Sequence, residues 1–135
     1  CKESGLNWCW LRIFYPYGEG QNPNSLIPSL EKAIREGEEF FRMSSGKQIR
    51  DFINVDLLAK QILLIASSSK SNGIYNCGSG EATSLIEMVN KIVKEFDSSI
   101  LLKTGHYADR EDEPLAFWAN IKRVNELKEF ENELK

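Results

Sequence analysis

The sequence predicts an α/β fold in which short apolar strands alternate with amphipathic helices. Residues 8–14 (WCWLRIF) and 73–77 (GIYNC) are continuous apolar runs, which is typical of strands covered on both faces in a parallel sheet. Residues 25–37 and 84–96 instead repeat apolar side chains at helical spacing. Because the two kinds of segment follow one another along the chain, we expect helices packed against a parallel sheet.

After the first strand, the sequence predicts a loop, a helix and two short strands. Residues 15–24 are dense in Gly, Pro and Asn, as in a loop. Ser25 is suited to cap the helix that follows, and Gly37 is suited to end it. Residues 38–43 and 49–55 resemble two short strands on either side of a Ser-Ser-Gly turn.

The second half of the chain continues the alternation. A helix over residues 57–66 is apolar on nearly every side and should therefore be well buried. Ser84 begins an amphipathic helix. Residues 100–103 then predict a short strand, residues 106–114 a polar loop and residues 121–130 a last helix, before a solvated end.

Size and charge argue against several classes of protein. A chain of 135 residues with 41% hydrophobic and 27% charged residues has the composition of one soluble globular domain. A net charge of −3 argues against a nucleic-acid surface, which would need a basic face. No apolar run approaches the ~20 residues that cross a bilayer, so we expect no membrane segment.

The cysteines and the histidine indicate a reducing compartment and no metal site. Cys1, Cys9 and Cys77 form no C-x-x-C pair, and the last two lie in apolar runs, where a thiol acts as a small hydrophobe. We therefore expect reduced thiols in a cytoplasmic protein. His106 is the single histidine, which argues against a metal centre and against a Ser-His-Asp triad.

Two arginine-containing segments carry the strongest functional signal. Residues 46–56 (GKQIRDFINVD) place Arg50 at the mouth of a strand, beside an acid and just before a helix. Residues 110–114 (REDEP) supply a second arginine, Arg110. A guanidinium offers a rigid fork of donors that matches phosphate oxygens, so the pair is suited to a doubly anionic ligand. An exposed ion pair between Arg50 and Asp51 is the alternative.

The motifs follow one another in an order that resembles a known family. The segments 11–21, 25–30, 46–55, 73–81 and 110–120 together resemble the C-terminal half of extended short-chain dehydrogenase/reductases. The resemblance is strongest to the NAD-dependent epimerase/dehydratase family of nucleotide-sugar enzymes, and especially to UDP-glucose 4-epimerase-like members. It implies the last parts of a Rossmann-type sheet together with most of a small substrate-binding domain of short strands and helices.

The chain carries no glycine-rich phosphate loop and no Y-x-x-x-K pair, which the family places in its N-terminal half. We therefore interpret residues 1–135 as a single C-terminal, substrate-binding fragment that lacks the NAD-binding half. By the resemblance, NAD or NADP is bound mainly by that half, no catalytic residue lies in this chain, and the chain alone is inactive. The complete enzyme is expected to be a homodimer that takes a nucleotide diphosphate sugar.

The resemblance also assigns roles to residues that would hold the nucleotide. It implies that Arg50 reaches the diphosphate, that Arg110 contacts the diphosphate or its ribose, and that Glu113 accepts the ribose hydroxyls. Ser25 and Leu26 fall where the family holds a substrate phosphate, at a helix N-terminus.

A further segment is implied to lie near the nicotinamide and the sugar. Phe14 and Pro16 match the stretch beside the nicotinamide, and Tyr15 stands where many relatives carry an asparagine near the sugar.

Asp51 and Met43 are expected to be structural. Leu57 replaces a common helix-capping aspartate, so Asp56 is expected to cap that helix instead.

Two other functions stay open at this stage. The first is a nucleotide-keto-sugar reductase, or another ketone reductase, of the same superfamily. The second is a non-enzymatic binding or assembly module derived from the fold. The second predicts an exposed apolar surface, because residues 8–14 would have lost their neighbours in the sheet.

Overall fold

The computed structural model describes residues 8–133, which divide into two compact units that are each discontinuous in sequence. Unit 1 comprises residues 8–18, 51–81 and 118–133, and unit 2 comprises residues 19–50 and 82–117. In chain order the elements are β1 (Cys9–Ile13), β2 (Tyr15–Tyr17), α1 (Leu26–Arg35), β3 (Phe40–Arg42), β4 (Ile49–Arg50), β5 (Phe52–Asn54), α2 (Val55–Ser67), β6 (Gly73–Cys77), β7 (Thr83–Ser84), α3 (Leu85–Glu95), β8 (Leu101–Lys103) and α4 (Lys122–Glu133).

Unit 1 holds the parallel strands that the apolar runs predict. β1 pairs with β6 and β2 pairs with β5, both in parallel. The helices α2 and α4 pack on one another and on β6. The core of this unit is apolar and is contributed by all of these elements except β1 and β2: Ile53, Leu58, Ile65, Tyr75, Cys77, Val124 and Leu127. The prediction of an α/β fold with a parallel sheet is therefore confirmed.

The strand β1 is far more exposed than a parallel strand covered on both faces should be. Trp10 is 65% exposed and Ile13 is 50% exposed. Cys9 is an exposed thiol, whereas Cys77 on the paired strand is buried. The prediction that this run is buried on both sides is wrong for the described residues, because β6 is the one strand with which β1 pairs there.

Two other sequence predictions for unit 1 need correction. The predicted loop at 15–24 contains the short strand β2, whose partner β5 lies far along the chain. The helix α2 begins at Val55 and is capped by Asn54, whose side chain accepts a hydrogen bond from the Asp56 N–H at 2.8 Å. Asp56 therefore lies in the first turn instead of capping it. Leu63 is largely exposed, so α2 is buried on one face only.

Unit 2 packs the amphipathic helices α1 and α3 against each other. The helix α3 begins as predicted, with a capping box in which Ser84 and Glu87 satisfy each other's backbone N–H groups. Ser25 lies at the N-cap of α1 with extended backbone, but its side chain makes no capping hydrogen bond. The last residue before the Ser-Ser-Gly turn, Met43, is buried as expected.

The strands of unit 2 pair differently from the sequence prediction. β3 pairs in parallel with β8, and β4 pairs antiparallel with β7. The predicted strand at 49–55 is divided into β4 and β5, which belong to different units. The pairing depends on strands distant in sequence, which a local pattern does not reveal.

The sequence also predicts helical structure at both ends of the chain. Residues 1–8 (CKESGLNW) resemble the frayed end of a helix in sequence, and this prediction falls mostly on residues 1–7, outside the described residues. The last helix, α4, continues to Glu133, past its predicted end at residue 130. Within residues 8–133 no helix is both long enough and apolar enough to span a bilayer.

Candidate functional site

Arg50 is the buried centre of the candidate site in unit 2. It ends the short strand β4, and its side chain is 2% exposed. The Nη2 atom donates to Glu113 Oε2 at 2.9 Å, and Nη1 donates to the carbonyl oxygens of Ile49 at 2.9 Å and Leu115 at 3.3 Å. The guanidinium lies 4.6 Å from the ring centroid of Phe117. A buried guanidinium is thus fixed by acceptors at its edge and by an aromatic face.

Arg110 meets the same carboxylate from the solvent side. Its Nη1 atom donates to Glu113 Oε1 at 2.7 Å, and its side chain is 78% exposed. Each oxygen of Glu113 is therefore held by a different arginine. These hydrogen bonds, first from Arg110 and then from Arg50, lower the pKa of Glu113 below its usual value.

The segment 105–117 is attached along residues 43–50 by a series of backbone contacts. The Gly105 N–H donates to Ser44 O at 2.9 Å. Further along, the Ile49 N–H donates to Leu115 O at 2.8 Å, and the Phe117 N–H donates to Ile49 O at 3.2 Å. These bonds place Arg110 and Glu113 beside Arg50, although 63 residues separate Glu113 from Arg50.

Asp109 is a residue of this site that the sequence analysis did not identify. Its carboxylate accepts hydrogen bonds from the Ser45 N–H at 3.1 Å and from Gln48 Nε2 at 2.7 Å. Hydrogen bonding by Ser45 and then by Gln48 lowers the pKa of Asp109. Gln48 in the segment GKQIRDFINVD was the available signal. A polar side chain two residues before a buried arginine needs a hydrogen-bond partner of its own.

Asp51 follows Arg50 directly but is built into unit 1. It is fully buried and accepts four hydrogen bonds from neutral donors. One oxygen accepts from Ser79 N at 2.7 Å and Ser79 Oγ at 2.7 Å, and the other accepts from Gly80 N at 2.9 Å and Ala119 N at 3.1 Å. Because Arg50 and Asp51 are both buried, the alternative of an exposed ion pair between them is wrong. A structural role for Asp51 agrees with its contacts.

The turn that Asp51 holds has no space for a larger residue. A Cβ added at Gly78 would lie 2.6 Å from Ala119 Cβ and 2.7 Å from Asp51 Oδ2. Gly78 therefore serves a tight turn after β6, where its missing side chain leaves room for Asp51 and Ala119.

The predicted phosphate-binding pair Ser25 and Leu26 begins α1 in unit 2. The Ser25 carbonyl accepts from the Ser29 N–H at 3.0 Å, as in a normal first turn. Because the Ser25 hydroxyl makes no capping bond, the helix does not require that hydroxyl.

The residues expected near the nicotinamide and sugar lie in unit 1, whereas both arginines and Glu113 lie in unit 2. Phe14 follows β1 directly, and its N–H donates to Cys77 O at 3.0 Å. Tyr15 is in β2, where its ring meets that of Phe52 edge-on at 6.1 Å. Pro16 is exposed in the same strand. In the part of the chain that the structure describes, no three His, Cys, Asp or Glu residues are grouped as metal ligands.

Comparison with known proteins agrees with the resemblance seen in the motifs. The model of the NAD dependent epimerase/dehydratase family matches residues 1–78. The dTDP-6-deoxy-L-talose 4-dehydrogenase (NAD(+)) of Aggregatibacter actinomycetemcomitans is 34% identical over 84% of this chain and 42% of that protein. The CDP-abequose synthase of Salmonella muenchen is 30% identical over 87% of this chain and 40% of that protein.

A solved structure shows the same fold at similar identity. It is the UDP-N-acetylglucosamine 4-epimerase from Methanobrevibacter ruminantium M1 in complex with UDP-N-acetylmuramic acid. The TM-score is 0.82 at 29% identity, over 93% of this chain and 41% of that protein. The chain therefore spans about two fifths of the length of the proteins that it matches.

Proposed function

The chain belongs to the NAD-dependent epimerase/dehydratase family, and we propose that it binds the diphosphate of a nucleotide-sugar through Arg50 and Arg110. In this proposal the chain is the C-terminal substrate-binding portion of an enzyme whose other half holds NAD or NADP. The names of the matched relatives support a nucleotide diphosphate group on the ligand, because they refer to dTDP, CDP and UDP compounds.

The bridging of Glu113 by two arginines is the observation that carries the proposal. The Arg50 and Arg110 donors lie 2.9 Å and 2.7 Å from the two oxygens of one carboxylate. They are therefore spaced to hold two oxygens of a single anion. Charge-assisted bonds from arginine to carboxylate and to phosphate share this geometry, so a diphosphate has the matching chemistry.

The diphosphate is a handle that does not react, and its binding serves placement. Interaction energy at a remote group can orient the sugar against the reacting centre and so raise the rate of the chemical step. We assign Glu113 to the ribose hydroxyls, Ser25 and Leu26 to a phosphate, and Tyr15 to the sugar. These assignments follow the positions of the residues in the family pattern.

We propose that the nicotinamide lies beside Phe14 and Pro16, and the arrangement of the strands supports this placement. β1 and β6 are parallel, so Phe14 and Gly78 follow them at the same carboxyl edge. Ligands of open α/β sheets bind outside that edge. Bound NAD would supply hydride acceptance and return. The half-buried Phe14 and the exposed Pro16 offer it an apolar wall.

Calorimetric titration of the chain with UDP, dTDP, CDP, GDP and inorganic pyrophosphate tests the proposal. We expect saturable binding that Arg110→Gln and Arg50→Lys each weaken by roughly ten- to a hundredfold, since a charge-assisted bond is worth ~1.5–3 kcal/mol. Arg42→Gln is the matched control, because Arg42 is an exposed arginine of the same unit. Binding weakened equally in the control, or no binding by any of the five compounds, would disprove the arginine site.

Oxidoreduction at a ring carbon is a second candidate for the overall reaction. The relative of 34% identity is named a 4-dehydrogenase, whereas the matched solved structure is named a 4-epimerase. Both reactions can use the same diphosphate handle. A protein that carries this chain together with the family's NAD-binding half would decide between them. Net formation of reduced nicotinamide indicates a dehydrogenase, and sugar interconversion without it indicates an epimerase.

We also propose that the 135-residue chain has no turnover by itself. It contains no Y-x-x-x-K pair, and β1 exposes the apolar side chains of Trp10 and Ile13. Any NAD-dependent conversion of a nucleotide-sugar by the pure chain would contradict this. A non-enzymatic module remains the alternative if the arginine site binds no nucleotide. We further propose that the complete enzyme is a homodimer in the cytoplasm.

A further inference from the structure

The diphosphate site proposed above already contains an anion that belongs to the chain. Glu113 accepts a hydrogen bond from each arginine, one at each carboxylate oxygen. Arg50 is almost completely buried, and it also donates to the carbonyl oxygens of Ile49 and Leu115. A phosphate oxygen that accepts from Nη2 of Arg50 in the same direction would take the position of the Glu113 carboxylate.

We propose that Glu113 is an internal substitute for the diphosphate, and that the ligand binds by exchanging with it on the two arginines. The inference rests on the proposed function, because it needs the diphosphate to use this arginine pair. It adds that Glu113 competes with the diphosphate for the two arginines. A residue that only positioned the arginines would instead favour diphosphate binding.

The difference in burial between the partners makes the exchange feasible. Arg50 is fixed by β4 and by the ring of Phe117, so it cannot move out to a ligand. Glu113 is 34% exposed and lies in a segment without helix or strand, directly after two other acids, Glu111 and Asp112. The Glu113 carboxylate is thus the partner that can move, and it can move toward solvent.

The charges explain why the site needs a resident anion. A buried guanidinium without a partner is strongly unfavourable, so Arg50 requires an anion both before and after the ligand arrives. Two arginines and one carboxylate carry a formal charge of +1. A diphosphate placed beside an ionised Glu113 would be repelled, whereas a diphosphate that replaces it keeps both arginines paired.

The exchange would also select the ligand. A group with a single anionic oxygen can replace Glu113 on one arginine only, so it gains little over the carboxylate. A diphosphate can engage both arginines and release Glu113, which then is free to accept the ribose hydroxyls. Inorganic pyrophosphate carries more negative charge than inorganic phosphate, so it should compete better with Glu113 for the two arginines in the native chain.

The test compares Glu113→Gln with Glu111→Gln, which removes the same charge from an exposed neighbour in the same loop. Inorganic pyrophosphate should bind Glu113→Gln at least about threefold more tightly than the native chain, as expected for loss of a competing carboxylate. Glu111→Gln should change the affinity much less. The gain should be smaller for the nucleoside diphosphates, because the amide is a poorer acceptor for ribose hydroxyls.

A second measurement uses the native chain and so does not depend on how the variant folds. The carboxyl carbon resonance of Glu113 is titrated with acid, with and without saturating pyrophosphate. In the free chain Arg110 and Arg50 lower the pKa of Glu113. Exchange removes both cations and adds a nearby anion, so the pKa should rise when pyrophosphate is bound.

The outcomes separate the inference from the proposed function. Tighter pyrophosphate binding by Glu113→Gln together with the raised pKa supports exchange. Weaker binding by this variant, with pyrophosphate still dependent on Arg110, would overturn exchange and leave the diphosphate site standing with Glu113 as a positioning residue. Failure of the native chain to bind pyrophosphate would overturn both.

Discussion

Two buried charged side chains that are neighbours in sequence, Arg50 and Asp51, obtain their partners in opposite ways. Asp51 in unit 1 accepts four hydrogen bonds from neutral N–H and O–H groups of well-packed turns. Arg50 in unit 2 pairs with a carboxylate that lies on a partly exposed loop. A charge satisfied by fixed neutral donors cannot be offered to a ligand, whereas a charge satisfied by a movable ion can. The contacts of Asp51 therefore indicate a structural role, whereas those of Arg50 suit the binding role proposed for it.

Removal of Asp51 should give the largest loss of stability. Asp51→Ala leaves the buried Ala119 N–H and the partly buried Ser79 and Gly80 N–H groups without an acceptor. We expect the free energy of unfolding to fall by about 3–5 kcal/mol, since each buried unsatisfied group costs roughly 1–3 kcal/mol. Urea denaturation measures this, with the exposed Asp112→Ala as control. A loss below about 1 kcal/mol, the value of one ordinary hydrogen bond, would show that Asp51 is not the fixed partner described here.

Crowding the turn that Asp51 holds should give the next largest effect. Gly78→Ala brings a methyl group to 2.7 Å from Asp51 Oδ2. We expect a loss of about 1–3 kcal/mol, as for other overpacked sites. Gly20→Ala is the control, because its φ of 82° is unfavourable for alanine but nothing lies within 4 Å of an added Cβ. Equal losses in both variants would mean that the turn around Asp51 can relax.

The pH dependence of stability should give the smallest effect. It tests whether the two arginines hold the Glu113 carboxylate. The pKa of Glu113 is lower in the folded chain than in the unfolded chain, because Arg110 and Arg50 donate to its ionised form. Its contribution to stability is therefore complete above its unfolded pKa and is lost as the pH falls through its folded pKa. Urea denaturation across the acid range should show that the native chain and Glu113→Gln converge at low pH. Parallel curves would indicate that the two arginines do not hold Glu113 in solution.

Local patterns predicted those elements whose signals lie within a few residues. The strand at 73–77 coincides with β6, and Ser84 with its capping box starts α3 as expected. The polar loop at 106–114 is correctly predicted as lacking helix and strand. Errors occurred where a distant partner decides the outcome. β2 forms within a Pro- and Gly-rich stretch because β5 pairs with it, and α2 is capped by Asn54 because the strand before it ends there.

The family and the two arginine-containing segments were recognisable from sequence, because ordered motifs keep their residue types and spacing whatever the tertiary contacts are. Tertiary structure alone decided that both arginines converge on Glu113, that Asp51 holds the turn at residues 78–80, and that Trp10 is exposed. The physical reason is distance along the chain: 63 residues separate Arg50 from Glu113, and 28 and 29 separate Asp51 from Ser79 and Gly80. Contacts over such distances depend on how the backbone returns, and no local periodicity encodes that path.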